Sequence, residues 1–386
     1  MFWKYTRFEL KLLVRNRKGW FIASFLLLFY LVFFMYYSQV EPPSLIEQKR
    51  IEKEEMNAIF EHVDYLREDI PEVAQVYEIL LKQSSLLNFQ VFYLGNGDDP
   101  IQYIENGLEL NKLRLEVHEL GNQGIPEHLI KSKEEILKED ALLHYIKDHQ
   151  FVIETESFAT NHFFTNAMQM MSGLLFLIII LLSGNELLLA ERQHHTVVRG
   201  FPLSFMKKVT SKVLVQFVYI YTTLIIGFII GAAYLVNKLE TTDFSYPILI
   251  YQNGNYVAVS TFQYLLYMFI GLALVTVFLL YLSVLLNMLF QNAFANLLVG
   301  LAIFIISDFL MGAGLNANLL HPFRYIDMAK VLSGDLAIQL GNQVLDYGYA
   351  LIWLCILTAL VIVTIYGINK YMYIRKPKDT PLPKAF

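Results

Sequence analysis

The side chains with most chemical potential in this sequence lie close together between two apolar stretches: Glu186, Glu191, Arg192, His194, His195, Thr196, Arg199 and Pro202. Metal binding is the first chemistry to weigh. His194 and His195 are adjacent, so on a helix they point to different sides, whereas chelating pairs prefer i, i+4 spacing. His62, His118, His128, His144 and His149 are scattered and lack zinc-like spacing. Phosphate and nucleophilic chemistry lack their motifs as well. The sequence contains no Gly-x-x-x-x-Gly-Lys-Ser/Thr loop, no His-Glu-x-x-His and no Gly-x-Ser-x-Gly. What remains is charge recognition. A short helix with charged ends, held between two apolar stretches, suits a rigid link whose charge pairs fix register at an interface. The plainer reading is a basic loop that only sets orientation.

The elements around this segment are those of a membrane protein. The chain is 55% hydrophobic and 17% charged, with mean hydropathy +0.43, against about a quarter charged in an ordinary soluble domain. Six stretches reach the ~17–25 residues that a bilayer-crossing helix needs, at about 20–37, 167–189, 214–236, 262–286, 293–310 and 349–368. Lipid offers no hydrogen bonds to the backbone, so these must be helices. Ionisable groups within spans are functional candidates. Glu186 near the inner end of the second and Asp308 near the outer end of the fifth are therefore pathway candidates. Gly312 and Gly314 beside Asp308 suggest a broken helix that lines an exit; the plainer reading is that Asp308 simply reaches the outer water. Asn185, Asn287, Asn292 and Asn296 are placed to join helices by hydrogen bonds.

The net charge of −5 hides a strong asymmetry. Lys4, Arg7, Lys11, Arg15, Arg17 and Lys18 face Glu9 alone. The second-to-third connection carries Arg192, Arg199, Lys207, Lys208 and Lys212, and the C-terminal stretch carries Lys370, Arg375, Lys376, Lys378 and Lys384. The positive-inside rule puts all three in the cytoplasm, and six spans satisfy all three assignments at once. Lys4, Arg7, Lys11, Arg15 and Lys18 recur every three or four residues, which predicts an interfacial helix over 1–18 with its basic face toward water and lipid phosphates. The apolar core after Lys18 is too long for a signal-peptide core and no small-x-small site follows, so a retained first span over 19–38 is expected.

Residues 39–165 form a predicted outer domain, acidic at roughly 25 Asp and Glu against about 11 Lys and Arg. The only cysteine is Cys355, so no disulfide stabilises it. Most of it reads as helix: 44–61 with a Ser44/Glu47 capping box, 71–83 opening on Pro71, and 126–147 by its apolar period. Two short strands are expected at 88–94 and 150–154. The acidic residues do not form an EF-hand loop.

Glu191-Arg192, Thr196, Pro202-Leu203-Ser204, Lys207 and Lys212 resemble a segment of the bacterial ABC-type-2 exporter permeases. The amphipathic N-terminus, the six spans and His321-Pro322-Phe323-Arg324-Tyr325 before the last span look similar to that family too. The sequence departs from the pattern at His195, where glycine often precedes the threonine. The resemblance implies an all-α polytopic membrane protein with six transmembrane helices, an N-terminal interfacial helix and a mostly helical extracellular domain with a few short strands. It implies that residues of about 190–204, within the 166–370 membrane region, form a coupling helix that docks on a cytoplasmic ATPase subunit. Glu191, Arg192, His194, His195, Thr196, Arg199 and Pro202 would make that contact. ATP and Mg would then belong to the partner, with no catalytic, cofactor or metal residues in this chain. Two ATPase copies, a second permease chain, identical or related, and membrane lipids are the implied partners, and nucleic acid is not. The cell membrane is the implied location, with both termini and the 371–386 tail cytoplasmic and 39–165 extracellular. A peptide or other amphipathic molecule is the favoured cargo. The alternative is a membrane sensor or immunity protein whose outer domain binds a ligand without transport.

Overall fold

The computed structural model describes residues 1–40, 43–66, 70–96, 99–153, 155, 160–188, 202–237, 243–312 and 321–375. Two compact units emerge from it, one of Met1–Phe33, Ala167–Tyr234 and Tyr267–Phe386, the other of Phe34–Asn166 and Leu235–Leu266. The chain is mostly helical, with a single two-stranded sheet among the described residues.

The first unit opens with α1 (Phe2–Arg15) and α2 (Arg17–Val40). The sequence predicts one helix through Lys18, and the structure corrects this. Asn16 is extended, at φ −79° and ψ 122°. Its side-chain oxygen accepts the Lys18 N–H at 3.0 Å, the bond by which an N-cap starts a helix. Trp20 Nε1 donates to the Val14 carbonyl at 2.7 Å, satisfying an end of α1 that the break leaves open. Lys4, Arg7, Lys11 and Arg15 are all exposed on α1, while Tyr5 and Glu9, four apart, are buried. Lys18 belongs to α2 and leaves the basic face.

Among the described residues, four helices are long and apolar enough to cross a bilayer: Arg17–Tyr37, Phe205–Val236, Thr261–Phe290 and Tyr347–Tyr371. A fifth crossing arises if α7 (Thr160–Met171) and α8 (Leu174–Gly184), bent by 48° at their junction, act as one. The remaining elements are α9 (Phe205–Val236), α10 (Thr261–Phe290), α11 (Ala293–Gly312), three short helices, α12 (His321–Arg324), α13 (Met328–Leu332) and α14 (Asp335–Gln339), and α15 (Tyr347–Arg375). The apolar part of α11, Ala293–Ser307, is shorter than a full span. Within this unit α9 lies close against α2 through Gly227-x-x-x-Gly231. A Cβ on Gly227 would come within 2.4 Å of the Leu26 carbonyl oxygen, and one on Gly231 within 2.5 Å of Tyr30 Cβ. Small residues at that spacing let helix backbones approach inside lipid.

The second unit is built on α3 (Leu45–Leu66), α4 (Pro71–Asn96), α5 (Pro100–Glu119) and α6 (Lys133–His149). Each packs on the next. Met56, Ile59 and Val63 of α3 meet Val73, Val76, Leu80 and Leu87 of α4 and Leu110, Leu113 and Val117 of α5 in one core. Ser44 caps α3 as expected, accepting from Glu47 N while its own N–H donates to Glu47 Oε2 at 2.9 Å. The predicted strand at 88–94 is instead the last part of α4. Its β-prone Phe, Val and Tyr residues are overridden because Gln83, Leu87 and Gln90 continue the buried helical stripe of Val76, Ile79 and Leu80. The predicted 126–147 helix starts only at Lys133, after a 3₁₀ turn at Glu127–Leu129, because Ser132 and Glu135 form a capping box there. Nor do residues 151–153 form a strand. Gln150 takes the left-handed conformation at φ 54° and Phe151 N–H returns to the Ile146 carbonyl at 3.1 Å, so the segment is spent on ending α6. Residue 154 lies outside the described residues.

The strands found are β1 (Pro247–Gln252) and β2 (Asn255–Ser260), an antiparallel hairpin paired from Pro247↔Ser260 to Gln252↔Asn255. Asn253 and Gly254 both have positive φ, 51° and 83°, the two-residue turn that matches strand twist. The hairpin packs on α6. Phe151 meets Tyr246 edge to face at 6.1 Å, and the Lys138 ammonium sits 5.2 Å from the Tyr256 ring centre.

Candidate functional site

Glu191, Arg192, His194, His195, Thr196 and Arg199 lie outside the described residues. Pro202 is described and exposed. What the structure does define is how the two ends of residues 189–201 are held. Leading into the segment, α8 ends at Gly184, and its next residues are pinned by polar groups from three helices. Lys18 Nζ of α2 donates to Asn185 Oδ1 and pairs with Glu186 Oε1 at 3.4 Å. Asn296 of α11 donates to the Asn185 carbonyl at 3.1 Å, and Asn287 of α10 to the Gly184 carbonyl at 3.2 Å. These bonds satisfy the open carbonyl end of α8. Asn185, Asn287 and Asn296 thus join helices as expected. Asn292 has another role, accepting from Phe294 N at 2.9 Å to cap α11.

Leading out of the segment, α9 is tied to α1. Lys212 Nζ meets Glu9 Oε1 at 3.0 Å, with both side chains nearly sealed from solvent. Thr6 and Ser211 share a hydroxyl hydrogen bond at 2.8 Å. Gln216 of α9 donates to Ser183 of α8, closing the layer between the two ends. The α1–α2 corner therefore grips both sides of 189–201, one through Lys18 and the other through Thr6 and Glu9. A cleft of about 140 Å³ runs between them, lined by Glu9, Asn16, Lys18, Ser183, Glu186 and Lys212 among others. Such a layer can fix a segment's position and carry a push between helices. It pairs no nucleophile with a base.

Glu186 sits in the turn after α8 with its side chain half exposed. Asp308 belongs to α11, but its side chain lies outside the described residues, as does Gly314. The structure supplies a different acidic residue inside the membrane unit, Asp327. The bend between α7 and α8 occurs at Ser172-Gly173, where Gly173 has φ 71° and ψ −131°. A Cβ there would approach Asp327 Oδ2 to 2.8 Å, so conformation and space both require glycine. Ser172 Oγ donates to Asp327 Oδ1 at 3.3 Å, and the Ala329 N–H donates back to Ser172 Oγ at 3.3 Å. Ser-Gly within an apolar run was the available signal for this break. Asp327 had none, since its partner is 155 residues away.

The second unit holds another charged assembly that the sequence reading missed. Glu52 of α3 and Glu139 of α6 are each shared by several cations. Arg114 of α5 reaches Glu52 Oε2 at 3.2 Å and Glu139 Oε2 at 3.1 Å. Lys131, just before α6, bridges both carboxylates at 2.7 Å. Lys49 of α3 reaches Glu52 at 3.0 Å and Glu139 at 2.5 Å. Burial alone would raise the Glu52 carboxyl, but Lys49, Arg114 and Lys131 outweigh it and pull it down to about 2. Glu139 is likewise held well below the usual carboxylate range, its burial overcome by Lys49, Lys131 and Arg114. Glu52 and Lys131 face two cavities. One, of about 430 Å³, is also lined by Gln83, Arg114 and His118. The other, of about 460 Å³, is also lined by Lys49, Lys138 and Glu139. Gln83 is 3% exposed, and its Nε2 has no hydrogen-bond partner among the described residues.

The chain matches no protein-family model, no curated protein and no solved structure.

Proposed function

We propose that this chain is the membrane subunit of an ATP-driven exporter of the ABC-2 type. The observation that carries the reading is the grip on both ends of residues 189–201. A motor subunit that pushes on a coupling helix needs that helix anchored, or the stroke is lost in local bending. Lys18, Asn287 and Asn296 on one side and Glu9 with Thr6 on the other provide stiff attachment to four helices. Glu191, Arg192, His194, His195, Thr196, Arg199 and Pro202 are the residues proposed to meet the ATPase. The exposed basic face of α1, with Lys4, Arg7, Lys11 and Arg15, suits anionic lipid at the cytoplasmic surface.

In this reading the bent α7–α8 pair and α11 each count as one crossing, which with the four long helices gives six. Six crossings put the three basic segments on one side, as the positive-inside rule asks. Residues 39–165 then lie outside the cell. Two such chains, identical or related, would flank the pathway with two ATPase subunits beneath, and a peptide or other amphipathic molecule would be exported. The outer cavities also favour a second reading, a sensor or immunity protein that binds a ligand without transport.

The test is gentle purification from the native host, followed by mass spectrometry and an ATPase assay. The expected result is a stoichiometric P-loop ATPase subunit whose activity drops with Glu191→Ala. Absence of such a subunit in several mild detergents would favour the sensor reading.

A further inference from the structure

The cavity of about 430 Å³ lies wholly within the second unit, between α3, α4, α5 and the stretch that leads into α6. Its size falls within the ~300–1,000 Å³ of small-molecule sites. Met56 of α3, Leu80 of α4, Val117 of α5 and Ile130, just before α6, give it apolar walls. Its charged groups are largely spent. Arg114 and Lys131 are held by Glu52 and Glu139, and Glu135 caps α6. The His118 ring is engaged on both sides. Its Nε2 lies 2.8 Å from the Lys131 carbonyl and its Nδ1 3.1 Å from Asn122 Nδ2. The Asn122 Nδ2 group only donates and a carbonyl only accepts, so both bonds form with a neutral ring that carries its proton on Nε2. Gln83 differs. It is buried in α4, lines the cavity, and has no hydrogen-bond partner for its Nε2 among the described residues. A buried donor left unpaired costs free energy, and an acceptor placed in this cavity would return it.

We propose that this cavity binds a neutral, largely apolar molecule through one carbonyl oxygen, which accepts a hydrogen bond from Gln83 Nε2. A hydrocarbon would fill the apolar walls but leave Gln83 unpaired. An anion would meet Glu52, Glu55 and Glu135 on the lining, while the two cations there, Arg114 and Lys131, already carry carboxylates. A cation would be brought against those same two side chains and against the donor end of Gln83. Apolar walls with one polar group that fixes orientation are the usual make-up of a ligand pocket. The inference rests on neither functional reading, because a ligand site in this unit is compatible with export and with sensing.

The experiment uses the full chain in nanodiscs of zwitterionic lipid, with benzophenone as the probe. Benzophenone is neutral and apolar, carries a single carbonyl oxygen, and under near-ultraviolet light inserts into C–H bonds close to that oxygen. Labelled residues are mapped by mass spectrometry. Saturable labelling is expected at Met56 or Leu80 on the cavity wall, with Ile352 and Leu360, exposed on α15, as the reference for probe concentration. Dicyclohexyl ketone and dicyclohexylmethane then compete as a pair that differs only in the carbonyl. The preference for the ketone should be about tenfold larger in the wild type than in Gln83→Leu, equivalent to ~1.4 kcal/mol of binding. Gln83→Leu keeps the volume and should fold, since it removes an unpaired buried polar group. Ile130→Trp, which fills the cavity from a half-buried position without altering charge, should remove most of the labelling at Met56 and Leu80. The carboxylate probe 4-benzoylbenzoate should leave both residues unlabelled. No benzophenone label at either residue, labelling unchanged in Ile130→Trp, or labelling by 4-benzoylbenzoate as strong as by benzophenone would overturn the proposal. So would an equal ketone preference in wild type and Gln83→Leu, which would mean that water alone serves Gln83.

Discussion

Glu9 Oε1 and Lys212 Nζ meet at 3.0 Å, with side chains only 11% and 6% exposed. They are 203 positions apart in sequence and join the N-terminal helix to the helix that follows residues 189–201. Taking either partner away removes a counter-charge of the other in a nearly dry layer, the costly way to break a buried pair. Glu9→Leu or Lys212→Met alone is expected to destabilise the folded chain by about 3–5 kcal/mol. The double variant should recover most of that loss, because it removes both desolvation penalties. A double-mutant cycle on thermal inactivation in detergent measures the difference, and strictly additive losses would mean that the two residues do not interact.

Gly227→Leu should be more damaging than its lipid-embedded position suggests. The new side chain would have to displace the backbone of α2 at Leu26, which a rotamer change cannot do. Overpacking costs about 1–3 kcal/mol where neighbours are flexible side chains, and here the neighbour is main chain. A half-life at elevated temperature close to wild type would show that α2 and α9 do not rely on this contact. Gly367 is the matching control, since nothing lies within 4 Å of a Cβ built there.

Lys18 and Glu186 separate stability from function. Their side chains are 25% and 49% exposed at 3.4 Å, and exposed pairs contribute about 0–1 kcal/mol. Glu186→Gln should therefore leave thermal stability nearly unchanged. If the segment after Glu186 transmits force, the same variant should slow substrate-stimulated ATP hydrolysis by the complex severalfold. Unchanged hydrolysis together with unchanged stability would remove Glu186 from the proposed coupling path.

How far the sequence reached depended on the range of the interaction. The capping box at Ser44 and Glu47, the proline start of α4 and four of the six expected apolar spans are local patterns, and they appear where expected. The helix over 1–18 was misjudged because its charge period runs through Asn16, while one side-chain cap there is enough to restart the helix. The strand expected at 88–94 failed because its residue types were weighed above the three-to-four spacing of buried Gln83, Leu87 and Gln90. Asn253-Gly254 between two alternating stretches and the glycines at 227 and 231 are local signals of the hairpin and of the close helix approach. The ion cluster was not readable. Its members come from α3, α5, the approach to α6 and α6 itself, with Lys49 and Glu139 separated by 90 positions, and no periodicity links them. The arrangement around residues 189–201 was half legible: its charges were visible, their partners were not.

Acid should loosen the second unit before it loosens the long apolar helices, and the direction follows from Glu52 and Glu139. Both carboxyls lose their protons more readily in the folded chain than in the unfolded one. In the acid range the unfolded chain therefore binds more protons, and stability falls as pH falls. The contribution of Glu52 is fully present above its ordinary value of 4.5 and is lost progressively as pH drops toward its folded value of about 2. Trp3, Trp20 and Trp353 all lie outside 39–165, so tryptophan fluorescence does not report on this unit. Hydrogen exchange by mass spectrometry on the full chain, corrected for the intrinsic pH dependence of exchange, does. Protection in α3, α5 and α6 should fall between neutral pH and pH of about 3 while α10 stays protected. A variant carrying both Glu52→Gln and Glu139→Gln should lose this acid sensitivity, and it should already be less protected at neutral pH because Lys49, Arg114 and Lys131 then lack counter-charges. Acid sensitivity retained in that variant would assign the effect to other carboxylates.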